Sequence, residues 1–232
     1  MLIDVGGHRL HLELFGRGTP TVVFDAGLSD AAERWGAVPA LVAAFARVCV
    51  YDRAGGSLRS CTPPYVLVGH SCDGQNLRLY ASRHPADVAG LVLVDASPPD
   101  RARRFAMILT PSEGAHFLAG RGQNHEGVDR LASDAELAAA ASLPTVPLVV
   151  LARGIAPRPE DFSPAWPIAA LEAVWQGLQG RLADSVPGGV LWRAARSGHY
   201  VQRDEPDLVV AAIRRVVDAA RARGPEPAPP AR

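Results

Sequence analysis

The sequence predicts an α/β domain with a mostly parallel central sheet and helices on both faces. Short apolar runs rich in Val and Leu alternate along the chain with segments whose apolar residues recur at helical spacing. The strand-sized runs are almost continuously apolar, as expected for parallel strands that helices cover on both sides. With 232 residues, 48% of them hydrophobic, the chain can bury one sizeable core.

The amino-terminal segments are expected to form an antiparallel hairpin, because residues 2–5 and 10–15 flank Gly6-Gly7 and glycine accepts the positive φ angles of a tight turn. The parallel strands that follow are predicted at residues 21–25, 48–52, 65–69, 91–95, 146–151 and 190–194. For the last helix, Asp204 is the expected cap and Pro206 lies in the first turn. Its apolar stripe, predicted to pack on the sheet, is Leu208, Ala212, Ile213, Val216 and Val217.

One domain is expected over residues 1–223, with a short cap-like insertion at about 98–143. Residues 224–232 are rich in proline, so they can neither continue a helix nor bury apolar area, and a disordered tail is expected there.

Composition narrows the classes of partner and compartment. Lys plus Arg (24) equals Asp plus Glu (24), so no overall positive charge favours nucleic acid or an anionic membrane. The apolar runs are too short to span a bilayer, and the amino terminus lacks the features of a signal peptide, so we expect a cytoplasmic protein. Cys49, Cys61 and Cys72 are odd in number and show no close Cys/His spacing. Reduced thiols and no metal or other cofactor are therefore expected.

Ser71 lies where a predicted strand passes into a predicted helix, in the segment Tyr65-Val-Leu-Val-Gly-His-Ser-Cys-Asp-Gly. A sharp strand-to-helix turn projects a serine hydroxyl beyond the sheet and directs the helix N-terminus at the place where an oxyanion forms. Gly69 avoids a clash in such a turn. The sequence therefore predicts a nucleophilic serine, against the simpler reading of a serine that only caps a helix.

His199 is the candidate base, in the loop between the last predicted strand and the last helix. A serine hydroxyl becomes a nucleophile when a base accepts its proton. The position of His199 gives the chain order Ser, acid, His, which is typical of proteins whose nucleophile lies in such a strand-to-helix turn, or elbow. His70, next to the candidate nucleophile, is interpreted as a residue that packs against or lines the site.

Five segments, taken in order, resemble the bacterial α/β-hydrolase (alpha/beta hydrolase-1) family over residues 3–217. They begin at Phe24 (Phe-Asp-Ala-Gly-Leu), Tyr51 (Tyr-Asp-Arg-Ala-Gly), Val66 (Val-Leu-Val-Gly-His-Ser), Leu91 (Leu-Val-Leu-Val-Asp-Ala-Ser) and Ser197 (Ser-Gly-His-Tyr-Val). The resemblance implies the α/β-hydrolase fold and carboxylic-ester hydrolysis. It also implies Ser71 as nucleophile, His199 as base and the backbone N–H groups of Leu28 and Cys72 as oxyanion donors.

Two carboxylates compete for the role of triad acid, which must accept a hydrogen bond from the histidine and hold its tautomer. Asp95 ends a predicted strand, where some branches of the family keep their acid. Asp161 lies in the more usual loop after the strand at 146–151, but Pro157 and Pro159 intervene. Glu160 is a third candidate.

Two departures from the family pattern weaken the prediction of activity. The position two residues after the nucleophile is usually small, but it is Asp73 here and Gly74 follows one place late, so a carboxylate is expected to strain the elbow and to oppose an oxyanion. Between the strands at 48–52 and 65–69 only residues 53–64 remain, too few for a covering helix. We expect an exposed apolar patch on that sheet face, filled by a rearranged segment, a partner subunit or nothing, and self-association as one consequence.

The function that these observations favour is a serine hydrolase acting on a small ester or related acyl compound. A serine nucleophile disfavours haloalkane dehalogenase and epoxide hydrolase chemistry, in which an aspartate forms the ester intermediate. The alternative is a weakly active or inactive protein of the same fold that binds a small ligand or a partner.

Overall fold

A computed structural model describes residues 2–4, 9–27, 32–51, 61–122, 124, 127–162 and 166–224 of the chain. The strands are β1 (Leu2–Asp4), β2 (Arg9–Phe15), β3 (Thr21–Asp25), β4 (Arg47–Tyr51), β5 (Tyr65–His70), β6 (Val88–Val94), β7 (Leu148–Arg153) and β8 (Val190–Ala194). The helices are α1 (Val38–Ala43), α2 (Asp73–Arg83), α3 (Arg101–Ala106), α4 (Pro111–Ala119), α5 (Arg130–Ala139), α6 (Ile168–Ala183), α7 (Val201–Asp204) and α8 (Pro206–Arg223).

The strands form one sheet in the order β1-β2-β4-β3-β5-β6-β7-β8. β1 pairs with β2 and β2 with β4 in antiparallel fashion, and every later pairing is parallel. The predicted fold class, a mostly parallel sheet with helices on both faces, is confirmed. The carboxyl ends of β5, β6 and β7 lie side by side, which is where an open parallel sheet collects its functional residues.

Each face of the sheet has its own apolar core. On one face, valines of the central strands pack against Val38 and Val42 of α1 and against Ile213 and Val216 of α8. On the other, alternate residues of the same strands pack against α2 and α6. This two-sided burial explains the continuous apolar runs in the strand sequences, because successive side chains point to opposite faces and both faces are covered.

The cysteine prediction was wrong for two of the three thiols. Cys49 on β4 and Cys61, just before β5, form a disulfide with a Cα–Cα distance of 6.7 Å, whereas Cys72 is free. They lie 12 residues apart in the sequence. The parallel arrangement of β4, β3 and β5 returns the chain to the same face, where both cysteines join one apolar cluster. Spacing between cysteines carried no sign of this return.

The expected exposed patch on that face was largely wrong. Leu12, Val23 and Cys49 are 3%, 0% and 0% exposed, whereas Leu14 of β2 is 43% exposed. The predicted missing helix concerns a segment whose residues 52–60 lie outside the described residues. Self-association through this face stays a prediction, and less exposed apolar surface supports it than the sequence suggested.

Helices α3, α4 and α5 follow one another between β6 and β7, in the segment predicted as an insertion. α3 packs against α4 and α6, and its Phe105 joins Leu171 and Trp175 of α6 in a separate small core. None of the helices in the described ranges is both long and apolar enough to cross a membrane. The predicted tail lies outside the described residues from 225 onward.

Candidate active site

Ser71 occupies a strained turn between β5 and α2. Its φ angle is +55°, a value that residues with a side chain rarely adopt and that marks functional turns. The turn is tight because a Cβ at Gly69 would come within 3.0 Å of the Gly74 backbone nitrogen. The Ser71 N–H donates to the Val94 carbonyl (3.2 Å), and the Ser71 carbonyl accepts from the Ser97 N–H (2.8 Å). The elbow is thereby fixed to the end of β6.

The close approach to β6 is made by Gly74, because a Cβ at that position would overlap the Cβ of Ala96. The close contact is therefore made by Gly74, one residue after the position that is usually small in the family pattern, and Asp73 does not occupy it. Asp73 is the first residue of α2, 1% exposed, and its Oδ1 accepts from Asn76 Nδ2 (2.9 Å). A carboxylate in the first turn of a helix is favourable to the helix dipole.

Three side chains from separate parts of the chain form a continuous chain of hydrogen-bond distances. His199 Nε2 lies 3.0 Å from Ser71 Oγ, and His199 Nδ1 lies 2.6 Å from Asp95 Oδ2. A carboxylate can only accept, so Nδ1 carries the proton and the lone pair of Nε2 faces the serine hydroxyl. The structure brings Asp95 to the histidine. Asp161 ends a short 3-10 turn, Pro159–Asp161, and its side chain is outside the described set, while Glu160 is 64% exposed and pairs with Arg158.

Asp95 is completely buried and accepts four hydrogen bonds. Besides His199, Trp175 Nε1 (2.8 Å) and the Arg153 N–H (3.1 Å) donate to Oδ1, and Arg153 Nη1 (3.1 Å) donates to Oδ2. Burial raises the pKa of Asp95, but the hydrogen bond and charge of His199 and the charge and N–H of Arg153 outweigh it, so the net pKa is below the usual value. Its φ of +39° shows that the backbone too is held in an uncommon conformation.

Arg153, the last residue of β7, joins Asp95 to a second carboxylate. Its Nη2 and Nε donate to Glu172 Oε2 at 2.6 and 3.1 Å, and its guanidinium lies 4.5 Å from the centroid of the Trp175 ring. Gln176 donates to Glu172 Oε1 (2.6 Å), which fixes that carboxylate in turn. Charges of alternating sign therefore run from Glu172 through Arg153 to Asp95.

The loop that carries His199 is held on both sides. Asp204 Oδ2 accepts from Ser197 Oγ (3.1 Å) and from the Gly198 N–H (3.2 Å), so Asp204 does not cap the last helix as expected; Glu205 occupies that position without a side-chain hydrogen bond. The Ser197 carbonyl accepts from the Gly154 and Ile155 N–H groups after β7. The base is thus anchored to the loop next to its acid.

His70 packs against His199 and donates a hydrogen bond to its backbone. It is 1% exposed, its Nε2 donates to the His199 carbonyl (3.0 Å), and its ring centroid lies 4.6 Å from that of His199. Burial and the neighbouring His199 lower the pKa of His70 to about 3, so the ring is neutral at physiological pH. The interpretation of His70 as a packing residue agrees with these contacts, to which the structure adds a hydrogen bond to the backbone of the base.

The Cys72 N–H, at the N-terminus of α2, has no hydrogen-bond acceptor among the described residues, which leaves it able to bind an oxyanion. The second predicted donor, Leu28, lies outside the described residues.

No family model matches the chain. A sequence relative is the uncharacterized protein YqjL of Bacillus subtilis (strain 168), which is 29% identical over 224 residues covering 85% of this chain and 83% of that protein.

Solved structures match over nearly the whole chain. Mouse alpha/beta hydrolase domain-containing protein 10 aligns with a TM-score of 0.68 at 15% identity, covering 94% of this chain and 98% of that one. An alpha/beta hydrolase fold protein from Burkholderia ambifaria aligns with a TM-score of 0.60 at 17% identity, covering 92% and 96%. The chain has the α/β-hydrolase fold. Est816, an N-acyl homoserine lactone degrading enzyme, shares it with a TM-score of 0.57 at 17% identity, covering 94% and 100%.

Two residues of this α/β-hydrolase-fold site were missed from the sequence. Arg153 had a signal, because a charged residue ends an otherwise apolar strand at the edge of the sheet where functional residues gather. Trp175 had none, since it lies 80 residues from Asp95 in the middle of a helix, where a tryptophan is expected to pack in the core.

Proposed function

We propose that the protein is a serine hydrolase that cleaves a small ester or related acyl compound through an acyl-enzyme on Ser71. The observation that carries the proposal is the chain of hydrogen-bond distances from Ser71 Oγ through His199 to Asp95, at 3.0 and 2.6 Å, on a serine held at positive φ. This arrangement of nucleophile, base and orienting acid is recognised by geometry and not by sequence position.

The proton movements follow from the tautomer of His199. As Ser71 Oγ attacks the acyl carbon, its proton passes to Nε2, and the resulting imidazolium keeps its Nδ1–H on Asp95. The proton then goes from Nε2 to the leaving alcohol, which departs and leaves the acyl group on Ser71. In the second half, Nε2 accepts a proton from water, the hydroxide attacks the acyl-enzyme, and Ser71 regains its proton as the acid product leaves.

Negative charge develops on the substrate carbonyl oxygen in both halves. The Cys72 N–H and the dipole of α2 are proposed to stabilise that charge, with the Leu28 N–H as the second donor; the position of Cys72 at the N-terminus of α2 supports this role. The neutral His70 adds no charge of its own and holds the His199 backbone.

A serine nucleophile supports acyl chemistry. Esters, lactones, thioesters and related acyl compounds form acyl-enzymes on serine, whereas dehalogenation needs an attacking carboxylate. Among the fold neighbours, Est816 is a lactone-degrading enzyme, which is chemistry of this kind.

A fluorophosphonate probe tests the proposal, because it phosphonylates a serine only when a base activates it. We expect labelling of the wild-type protein and its loss in Ser71→Ala. Ser133→Ala, whose hydroxyl donates to the Asp129 carbonyl at the start of α5, is the matched control and should label like the wild type. If folded wild-type protein is not labelled, the hydrolase proposal fails and the ligand-binding alternative is favoured.

A further inference from the structure

Three arginine side chains of the insertion meet at one cavity. Arg101 of α3, Arg121 after α4 and Arg130 of α5 line a space of about 600 Å³. An aromatic wall completes it: Trp166 contacts Phe117 edge-on, with ring centroids 5.7 Å apart, and stacks with Phe162 at 5.6 Å. The cavity therefore combines cationic donors with an apolar surface.

Several guanidinium nitrogens at this cavity are buried without an acceptor. Arg121 is 3% exposed; its Nη2 donates to Asp134 Oδ2 (2.5 Å), but its Nε and Nη1 have no partner among the described residues. The Nε atoms of Arg101 and Arg130 are buried and unpartnered in the same way. Buried donors in proteins are nearly always satisfied, and one left unpaired is destabilising. These enclosed atoms are not the ones that an anion in the cavity would meet. The remaining guanidinium nitrogens of Arg101 and Arg130 are better placed for that, and neither side chain forms an ion pair with a carboxylate of the described residues.

The cavity adjoins the catalytic elements through Arg101. Arg101 Nη1 lies 3.4 Å from Ser97 Oγ, and the Ser97 N–H donates to the Ser71 carbonyl. The Arg101 guanidinium also lies 5.6 Å from the centroid of Trp175, which donates to Asp95. Burial, then Arg130 and Arg121, lower the pKa of Arg101 to about 10, so it stays protonated at neutral pH while the neighbouring cations repel it.

The excess of positive charge at the cavity is small. Asp134 pairs with Arg121, and Glu113 borders the cavity, although its Oε2 is held by the Thr110 N–H (3.1 Å) and Oγ1 (2.6 Å) at the start of α4. His116 is the other titratable lining residue. A singly charged carboxylate suits this balance better than a doubly charged phosphate.

We propose that this cavity binds the carboxylate of the substrate, so that Ser71 acts on an acyl compound carrying a carboxylate on an apolar or aromatic body. The inference rests on the proposed hydrolase function for its catalytic half. The anion site itself is independent of it.

The catalytic test compares two esters that differ by one carboxylate, mono-p-nitrophenyl glutarate and p-nitrophenyl pentanoate. We expect wild-type kcat/KM to favour the glutarate ester, and Arg101→Gln to lower the ratio of the two values by about tenfold or more, the effect of losing one charge-assisted contact. Arg103→Gln, on the same helix but 68% exposed, is the control and should keep the wild-type ratio. Arg130→Gln provides a second variant if Arg101→Gln folds poorly. Wild-type preference for the neutral ester, or an unchanged ratio in both pocket variants, would overturn the proposal.

A binding test separates this inference from the hydrolase proposal. In the Ser71→Ala protein, calorimetry should show phenylacetate binding at least about tenfold more tightly than neutral phenylacetamide, and Arg101→Gln added to this background should remove the difference. Selective phenylacetate binding without Ser71-dependent hydrolysis would support the anion site and reject the hydrolase. Ser71-dependent hydrolysis with equal binding of the two ligands would reject the anion site alone.

Discussion

Replacing Asp95 by Asn changes one atom of the proposed triad acid and leaves its size unaltered. Both carboxylate oxygens accept two hydrogen bonds each: Oδ1 from Trp175 and the Arg153 N–H, and Oδ2 from His199 and Arg153 Nη1. An amide has one oxygen and one NH₂ group. Whichever way it is turned, the NH₂ group faces two donors.

The two orientations have the same catalytic consequence. With NH₂ towards His199, the imidazole must move its proton to Nε2 and can no longer accept the Ser71 proton. With the oxygen towards His199, the hydrogen bond is kept but the negative charge that stabilises the imidazolium is lost. We expect kcat to fall by about 10³–10⁴-fold, the size found when a triad acid becomes an amide. Stability should fall by about 1–3 kcal/mol, because buried donors to Asp95 lose an acceptor while Arg153 keeps its ion pair with Glu172.

The measurement is kcat for p-nitrophenyl butyrate at a temperature where circular dichroism shows the variant to be folded, together with urea unfolding. Asp161→Asn is the matched control and should keep kcat within about twofold of the wild type, because Asp95 already accepts the hydrogen bond of His199 Nδ1. An Asp95→Asn protein that is folded and retains more than a tenth of wild-type kcat would refute the role of Asp95. Equal losses in both variants would reject the assignment as well.

Three further predictions concern the surroundings of the site. His70 stays neutral in the folded protein, with a pKa of about 3, but it binds a proton in the unfolded chain below about pH 6.5. Lowering the pH from 7 to 5 should therefore cost about 2 kcal/mol of folding stability. Urea unfolding of His70→Gln should lack this pH-dependent loss, and an identical pH dependence in wild type and variant would contradict the prediction. Asp73→Asn keeps an acceptor for Asn76 but removes the negative charge near the oxyanion, so turnover of a short p-nitrophenyl ester should rise. The same change removes a favourable charge at the N-terminus of α2 and should cost about 0.3–1 kcal/mol of stability. Unchanged or lower turnover would show that Asp73 is not inhibitory. Cys49→Ala should lower the free energy of unfolding by about 3 kcal/mol, as expected for a closed loop of 12 residues, whereas Cys72→Ala should not share this loss; equal effects would argue against the disulfide.

The parts of the fold that were predictable are those written locally in the sequence. Parallel strands buried on both faces leave continuous apolar runs, and the residues 21–25 and 190–194 were predicted with the bounds that the structure has. The elbow was predictable for the same reason, because a strand, a glycine, a serine and a helix follow one another within about twenty residues. These elements could be predicted because the residues that identify each of them lie close together in the sequence.

What could not be predicted depends on distant contacts. Asp95 and Asp161 follow neighbouring strands, so each was a candidate, and the choice between them depends on where the His199 loop crosses the sheet edge. The disulfide between Cys49 and Cys61 likewise depends on how the chain passes from β4 to β5 across β3. In both cases the deciding distance is set by tertiary packing that no spacing along the chain reports.

The positive charge of Arg153 next to Asp95 is balanced by Glu172. An arginine 3.1 Å from the triad acid would by itself weaken the attraction between Asp95 and the imidazolium that forms on His199. Glu172 lies 2.6 Å from the other end of the same guanidinium, its side chain is 14% exposed, and it offsets much of that positive charge. Arg153 can then fix the orientation of Asp95 through its N–H and Nη1 groups while leaving the net negative charge of the cluster for His199. A buried arginine is compatible with the proposed catalysis because its second carboxylate is present.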